Sequence, residues 1–411
     1  MTPTILIATT SRWFTTARLA IAFAKVGCNV DAICPVNNAL RKTKVVRLTH
    51  TYQALSPLES FLHAIRTSKP DLIVPGDDLA GKHLHDLYFR EKRNGGEGQK
   101  VCDLIECSIG PPDSFPVANA RASFMDIASQ ERIRVPKTAV LRDVSDLERW
   151  ISHSGFPLVL KADGSSSGEG VKIVNTSFEA KRALRALQSP PELIRVAKRA
   201  LINRDLRWIR PVLERSRPIV NAQEFIAGRD ATSLAACWKG EVLAALHFVV
   251  INKQYERGPS SVLRLIENKE ISSATERLVR RLKLSGLHGF DFLFENDTEK
   301  AYLIEMNPRA TQVGHLALGP GRDLPVALSA AVMGQPIPET RTVTENPTIA
   351  LFPQEWLRNP QSTFLSSAYH DIPWDEPDLI RDCLRTTRRW NDWRSLEHLI
   401  HIFSTHRSSV V

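Results

Sequence analysis

The stretch His288-Gly289-Phe290-Asp291-Phe292-Leu293-Phe294-Glu295, followed ten residues after its last member by Glu305-Met306-Asn307-Pro308-Arg309, decides how this chain is read. Two apolar runs, Phe290–Phe294 and Ala301–Ile304, flank the polar turn Asn296-Asp297-Thr298-Glu299-Lys300, the pattern of a β-hairpin. Asp291 lies inside the first run, and burying a carboxylate between two phenylalanines is costly without a partner charge. Glu305 and Asn307 close the second run two residues apart, so they share a side of their strand. A hairpin can bring all three side chains to one face. Two carboxylates and an amide oxygen are hard ligands for Mg²⁺ or Mn²⁺, and Arg309 adds a planar cation suited to a phosphoryl group. The hairpin therefore predicts a metal–polyphosphate site.

Upstream, Pro157-Leu158-Val159-Leu160-Lys161-Ala162-Asp163-Gly164-Ser165-Ser166-Ser167-Gly168-Glu169-Gly170-Val171 reads as strand, Gly/Ser-rich loop, strand. Gly and Ser add no bulk, so backbone N–H groups of such a loop can approach phosphate oxygens closely. Lys161 at the strand end supplies a point charge. No G-K-[ST] ending follows, which excludes a Walker loop. Val220–Asp230, then Ser233–Trp238, the Lys239-Gly240-Glu241 turn and Val242–Val250, read by themselves as an ordinary strand and hairpin.

The pattern F-D-F-x-F…Y-L-I-E-M-N-P-R resembles the metal-binding hairpin of the ATP-grasp superfamily, and the Lys161 loop resembles its phosphate-covering loop. The resemblance spans roughly residues 1–340. It implies an α/β chain, α+β in its ATP-binding part: a Rossmann-like pre-ATP-grasp domain at 1–115, then an ATP-grasp domain at 116–340. The latter would carry a lid at about 135–220 and the metal hairpin at 288–309, with 341–411 as a C-terminal extension. It further implies that Asp291, Glu305 and Asn307 hold Mg²⁺ or Mn²⁺. Lys161, Gly164, Ser165, Ser166, Ser167 and Gly168 would embrace the ATP phosphates, together with Arg121. The family usually carries a lysine after an acidic residue at that last place, where this chain has Ala120-Arg121. Gln223 would lie near the adenine amine, Glu224, Phe225 and Ile226 would give main-chain contacts, Asp230 would take the ribose hydroxyls, and Leu293 would pack under the base. Arg309, with Lys161, would steady the transferring phosphoryl group.

The superfamily's common chemistry implies an ADP-forming carboxylate–amine ligase working through an acyl phosphate, with an amino acid among the acids in view. Its small-molecule partners would be a carboxylate and an amine, and a homodimer is among the assemblies in view. The rivals are a carbamoyl-phosphate-like phosphoryl-transfer enzyme on the same fold and a non-catalytic ATP-binding protein. Biotin carboxylase shares F-x-F-L-F-E-N and I-E-M-N, but there a Q-V-E-H run carries the acid of bicarbonate chemistry. Here the run is Gln312-Val313-Gly314-His315, with Gly314 in place of that acid.

The bulk numbers frame this reading. At 411 residues, 43% hydrophobic and 24% charged, the chain is expected to form two or three globular domains. No apolar run reaches the roughly 18 residues a membrane span needs. The segment Thr2–Ala8 reads as a first strand rather than a leader. Six scattered cysteines, with Cys102 and Cys107 five apart, give no zinc spacing and point to a reduced cytoplasmic setting. Much of the +9 net charge falls in residues 179–218, which hold 11 basic against 4 acidic residues. Without aromatic interleaving beyond Trp208, that stretch is read as a solvated helical face and not as a nucleic-acid site. Residues 1–115 alternate strand and helix in a βαβ pattern. The loop after the first strand, Thr9-Thr10-Ser11-Arg12, lacks G-x-G-x-x-G, which argues against a dinucleotide site. Asn94-Gly95-Gly96-Glu97-Gly98 is expected to be a flexible break. Asp77 and Asp78 lie where open α/β sheets bind ligands, or else cap the next helix. The Trp- and Pro-rich last seventy residues are expected to be a packing extension over the active site.

Overall fold

The computed structural model describes residues 2–164, 170–189, 218–256, 258–340 and 342–387. Ser165, Ser166, Ser167, Gly168, most of the basic stretch and Trp390 and Trp393 lie outside the described residues. The chain opens with β1 (Thr4–Ala8), α1 (Thr15–Lys25), β2 (Asn29–Cys34), β3 (Val46–Thr51), α2 (Pro57–Ser68), β4 (Leu72–Pro75), α3 (Asp78–Asn94) and α4 (Glu97–Ile109). Its four strands form a parallel sheet in the order β3-β2-β1-β4. Every residue of β1 and β4 is buried, as expected where helices cover both faces.

Two elements here were not anticipated. Strand β3 (Val-Arg-Leu-Thr-His-Thr) is a largely exposed edge with too little apolar signal to stand out. Helix α4 follows the supposed flexible break, which is only a two-residue turn: Gly95 and Gly96 take positive φ and the chain doubles back. The two helices pack so closely that a Cβ on Gly98 would lie 2.3 Å from the Glu91 carbonyl oxygen. The expected looseness is absent because the glycines serve close packing.

Helices α5 (Phe115–Asn119) and α6 (Arg121–Gln130) lead into a second layer of β5 (Thr138–Leu141), α7 (Val144–Ser154), β6 (Leu158–Ala162), β7 (Val171–Val174), α8 (Ser177–Gln188) and β8 (Val220–Glu224). These strands form an antiparallel sheet, β5-β8-β6-β7. Strand alternation divides its faces. Leu158, Leu160, Val220 and Ala222 pack against Leu147 of α7 and Leu184 of α8, while Val159, Lys161, Ile173 and Gln223 face a cavity.

The third layer is built from β9 (Gly228–Trp238), β10 (Glu241–Lys253), β11 (Ser260–Leu265), α9 (Lys269–Leu282), β12 (Gly286–Glu295), β13 (Ala301–Asn307), α10 (Leu324–Met333), β14 (Thr348–Ala350), α11 (Gln354–Arg358), α12 (Phe364–Ser367), β15 (Tyr369–His370) and α13 (Pro377–Thr387). Seven strands join in the order β13-β12-β9-β10-β11-β14-β15. The apolar stripe of α9 (Ile271, Ala274, Leu278, Leu282) covers Phe290, Phe292 and Phe294.

The C-terminal segment was expected over the active site, but none of its described residues lines the cavity. It zips β14 onto β11 and clamps α1 from behind. Arg18 Nη2 lies 3.3 Å from Asp371 Oδ2, His315 Nε2 lies 2.6 Å from the same oxygen, and Leu379 packs on Ala17 and Ile21. Among the described residues no helix is long and apolar enough to cross a membrane, and all six cysteines are free.

Candidate functional site

Strands β12 and β13 pair antiparallel with Asp291 opposite Glu305 and Phe292 opposite Leu303, so Ile304 has no partner and bulges. The bulge sets the faces. Ala301 and Leu303 point into the core, and strict alternation would send Glu305 and Asn307 there too. One extra residue resets the phase. Ile304, Glu305 and Asn307 all reach the cavity, and Met306 takes the core position instead.

The cavity holds about 530 Å³ and is lined by the four-stranded sheet, the seven-stranded sheet and the carboxyl end of the N-terminal one. Arg121, Lys161, Gln223, Glu224, Phe225, Ile226, Asp230, Asp291, Leu293, Glu305, Asn307 and Arg309 all line it. Gly164, at φ +71°, does not.

Charge here is tightly compensated. Arg121 Nη2 donates to Glu305 Oε1 at 2.6 Å and its Nη1 lies 3.4 Å from Asp163, while its buried Nε has no hydrogen-bond partner among the described residues. Burial works to raise the Glu305 carboxyl, but Arg121, Lys161 and Arg309 outweigh it and hold it below the usual carboxylate range. Asp291 goes the other way: burial, and then the Glu305 charge, push it up against hydrogen bonds from Asn307 Nδ2 (2.8 Å) and Thr232 Oγ1 (2.8 Å). These neighbours offer oxygen donors only, the set a hard divalent cation takes, and a cation between them would relieve the repulsion that raises Asp291. Among the described residues no three His, Cys, Asp or Glu side chains gather as a metal group. Asp291, Glu305 and Asn307 would thus leave the remaining coordination positions to phosphate oxygens and water.

Lys161 is 6% exposed, and burial brings its ammonium down to about 8 even with Glu305 opposing the shift. A bound polyphosphate favours the charged form, so binding takes up a proton once the free protein has begun to lose it. Affinity for Mg-nucleotide is therefore expected to fall as pH rises from about 8 to 10, and Lys161→Arg should flatten that slope. Titration calorimetry at several pH values measures it; equal slopes in the two proteins would remove Lys161 from the phosphates.

Several cavity residues escaped the sequence reading. Val159 and Ile173, cross-strand partners on the four-stranded antiparallel sheet, line the same cavity as Leu293 with apolar side chains; the alternation of β6 and β7 could have revealed them. Lys253 pairs with Asp230 at 2.7 Å. From the N-terminal unit comes Trp13, and Asp78, expected at the ligand-binding end of its sheet or as a cap, lines the cavity as well. Of the two adjacent acids, Asp77 is the helix cap, accepting from Ala80 N, Thr9 Oγ1 and Thr10 N. Asp78 instead faces the cavity and takes Arg309 Nε at 2.8 Å. Gly314 stands outside the cavity wall, where a Cβ would lie 3.1 Å from Leu234 Cδ2 and 3.5 Å from Leu19 Cδ1, so a side chain there would point into these core leucines and make them shift.

Comparison with known proteins agrees with this geometry. A family model described as an ATP-grasp domain matches residues 207–313. The large chain of carbamoyl phosphate synthase from Rubrobacter xylanophilus is 22% identical over 275 residues, 66% of this chain and 24% of the relative. The chain thus spans about a quarter of that relative's length. Among solved structures, an ADP complex of N5-carboxyaminoimidazole ribonucleotide synthetase superposes with TM-score 0.58 at 14% identity, covering 84% of this chain and 80% of that one. The biotin carboxylase domain of Hydrogenobacter thermophilus 2-oxoglutarate carboxylase, with MgADP and bicarbonate, gives 0.57 at 15% identity, covering 80% and 70%. The bulged acidic hairpin, the four-stranded sheet facing it across one cavity and these likenesses give the chain the fold of the ATP-grasp structures, with residues 207–313 matching the ATP-grasp domain model.

Proposed function

We propose that the protein is an ADP-forming ligase that joins a carboxylic acid to an amine through an acyl phosphate. The observation that carries this reading is the convergence of Lys161, Arg121, Asp291, Glu305, Asn307 and Arg309 on one cavity. In it, Gln223, Glu224, Phe225 and Ile226 receive the adenine edge, Leu293, Val159 and Ile173 enclose its faces, and Asp230 takes the ribose. Lys161 and Arg121 grip the phosphates, with Arg121 leaving Glu305 as it does so. Asp291, Glu305 and Asn307 would hold Mg²⁺, which when bound neutralises charge on the β- and γ-phosphates. Arg309 lies against the group in transfer. The acid's oxygen attacks the γ-phosphorus, an O–P bond forms, and the bond to the ADP oxygen breaks. The amine nitrogen then attacks the acyl carbon, a C–N bond forms, inorganic phosphate leaves, and the nitrogen's proton passes to solvent. The residues act by position and charge, which is where such enzymes find most of their rate.

Turnover should yield ADP and phosphate, depend on an organic acid, and give a hydroxamate when hydroxylamine replaces the amine. Release of AMP would replace the acyl phosphate with an adenylate and end this reading. A second reading, phosphorylation of bicarbonate, is favoured by the likeness to carbamoyl phosphate synthase. The core position of Gly314 weighs against a carboxylase-type site. ATP turnover with bicarbonate as the sole acid would favour the second reading over the first.

A further inference from the structure

We infer that the acid is an α-amino acid, recognised as a zwitterion by the Asp78–Arg309 pair in the cavity that Trp13 also lines; this rests on the ligase reading above. Asp78 is the first residue of α3, at the carboxyl end of β4, where open parallel sheets meet their ligands. Its neighbour Asp77 is consumed by capping and by the Thr9–Ser11 loop. Asp78 has only one oxygen engaged: Oδ1 takes Arg309 Nε, while Oδ2 accepts no hydrogen bond among the described residues and the side chain is 43% exposed. Arg309 reaches from there to the metal hairpin, donating through Nη2 to Asn307 Oδ1 at 3.2 Å. One guanidinium thus touches both the site of phosphoryl transfer and a carboxylate with a free oxygen.

A fixed cation and anion side by side are the complement of an α-amino acid, whose carboxylate and ammonium are separated by one carbon. With the substrate carboxylate against Arg309, its ammonium falls beside Asp78. Two further features of the same cavity bear on a ligand. Thr311 Oγ1 is buried with no hydrogen-bond partner among the described residues and belongs to a wall residue. Trp13, on the loop after β1, also lines the cavity and adds an aromatic side chain of the kind that meets an ammonium or an apolar group. An acid lacking the nitrogen would leave Asp78 facing the substrate without a cation, and sites built around a charged hydrogen bond discriminate strongly against such analogues.

The test compares matched acids, each L-amino acid beside its deaminated and its N-acetylated counterpart, as drivers of ADP release and hydroxamate formation by the full chain with Mg-ATP. Amino acids should exceed their counterparts in kcat/KM by on the order of 100-fold, the worth of a charge-assisted hydrogen bond. Asp78→Asn should remove most of that ratio by depressing turnover of the amino acid alone, with Asp78→Glu restoring part of it. If Asp78 only steadied Arg309, Asp78→Asn would lower amino acid and counterpart by the same factor and keep the ratio; that result overturns the inference. Equal use of deaminated acids by the wild type overturns it while leaving the ligase reading intact. Tight Mg-ATP binding with no response to any acid would end both. Mg-ATP affinity of Asp78→Asn, within about twofold of wild type, verifies a folded nucleotide site independently of the acid.

Discussion

Glu305→Gln is expected to reduce ATP turnover by on the order of 1,000-fold, with Mg-nucleotide binding lost in parallel. The carboxylate it removes sits opposite Asp291 and is kept ionised by three cations. Glutamine has the same shape and one oxygen, but no charge to offer a divalent ion crowded by phosphates. In the free protein the same change strips Arg121 of its 2.6 Å partner, leaving Asp163 as its remaining carboxylate. Mg²⁺ and Mn²⁺ titrations of ADP formation, with a melting curve to verify folding, measure the effect. Wild-type turnover by the variant would mean that the hairpin does not carry the metal.

Lys161→Met should move function and stability in opposite directions. Loss of a point charge from the phosphates is expected to weaken Mg-ATP binding by on the order of 100-fold. Yet the ammonium is buried, and its pKa is brought to about 8 from the usual value near 10.5. Below pH 8 the folded protein carries that cost in full, at most about 3 kcal/mol from the size of the shift. It fades as pH rises towards 10.5, where the unfolded chain also loses the proton. Methionine keeps the stem and drops the charge. The variant should therefore unfold at a higher temperature than wild type at pH 7, by a margin that shrinks towards pH 10. Because Glu305 keeps Arg121 and is one third exposed, it is not stranded by the change. A variant less stable at pH 7 would show that Lys161 holds the fold together; unchanged Mg-ATP affinity would take it away from the phosphates.

What the sequence disclosed follows the range of the forces involved. Helix Pro57–Ser68 and strand Leu72–Pro75 belong to the legible βαβ alternation, because proline at a helix start and a short apolar run are local signals. The hairpin was legible for the same reason. Strand β3 was not: it is an edge held by backbone pairing to β2, and its Arg47 answers the buried Asp31 sixteen residues earlier. Nor was the seat of the C-terminal segment, whose Asp371 meets Arg18 across 353 residues of chain. Of the cavity lining, the parts on the hairpin and on strands β6 and β8 could be named individually. The Asp78–Arg309 contact joins residues 231 apart, and no periodicity marks it. Gly314 was noticed as a missing acid, whereas its position between Leu19 and Leu234 emerged only with the core around it.

The unpaired Ile304 makes length matter more than identity in this hairpin. Substitutions there alter one side chain, but a change in residue number acts on everything beyond it. Deleting Ile304 would leave Leu303 inward and Glu305 and Asn307 outward, an ordinary ladder with its ligands still in the cavity. Deleting Met306 would turn Asn307 inward and carry Arg309 with it. Two neighbouring one-residue deletions thus have opposite consequences. Across descendants of such a chain, the gap between Leu303 and Glu305 is free to drift by one, while the step from Glu305 to Asn307 must stay at two.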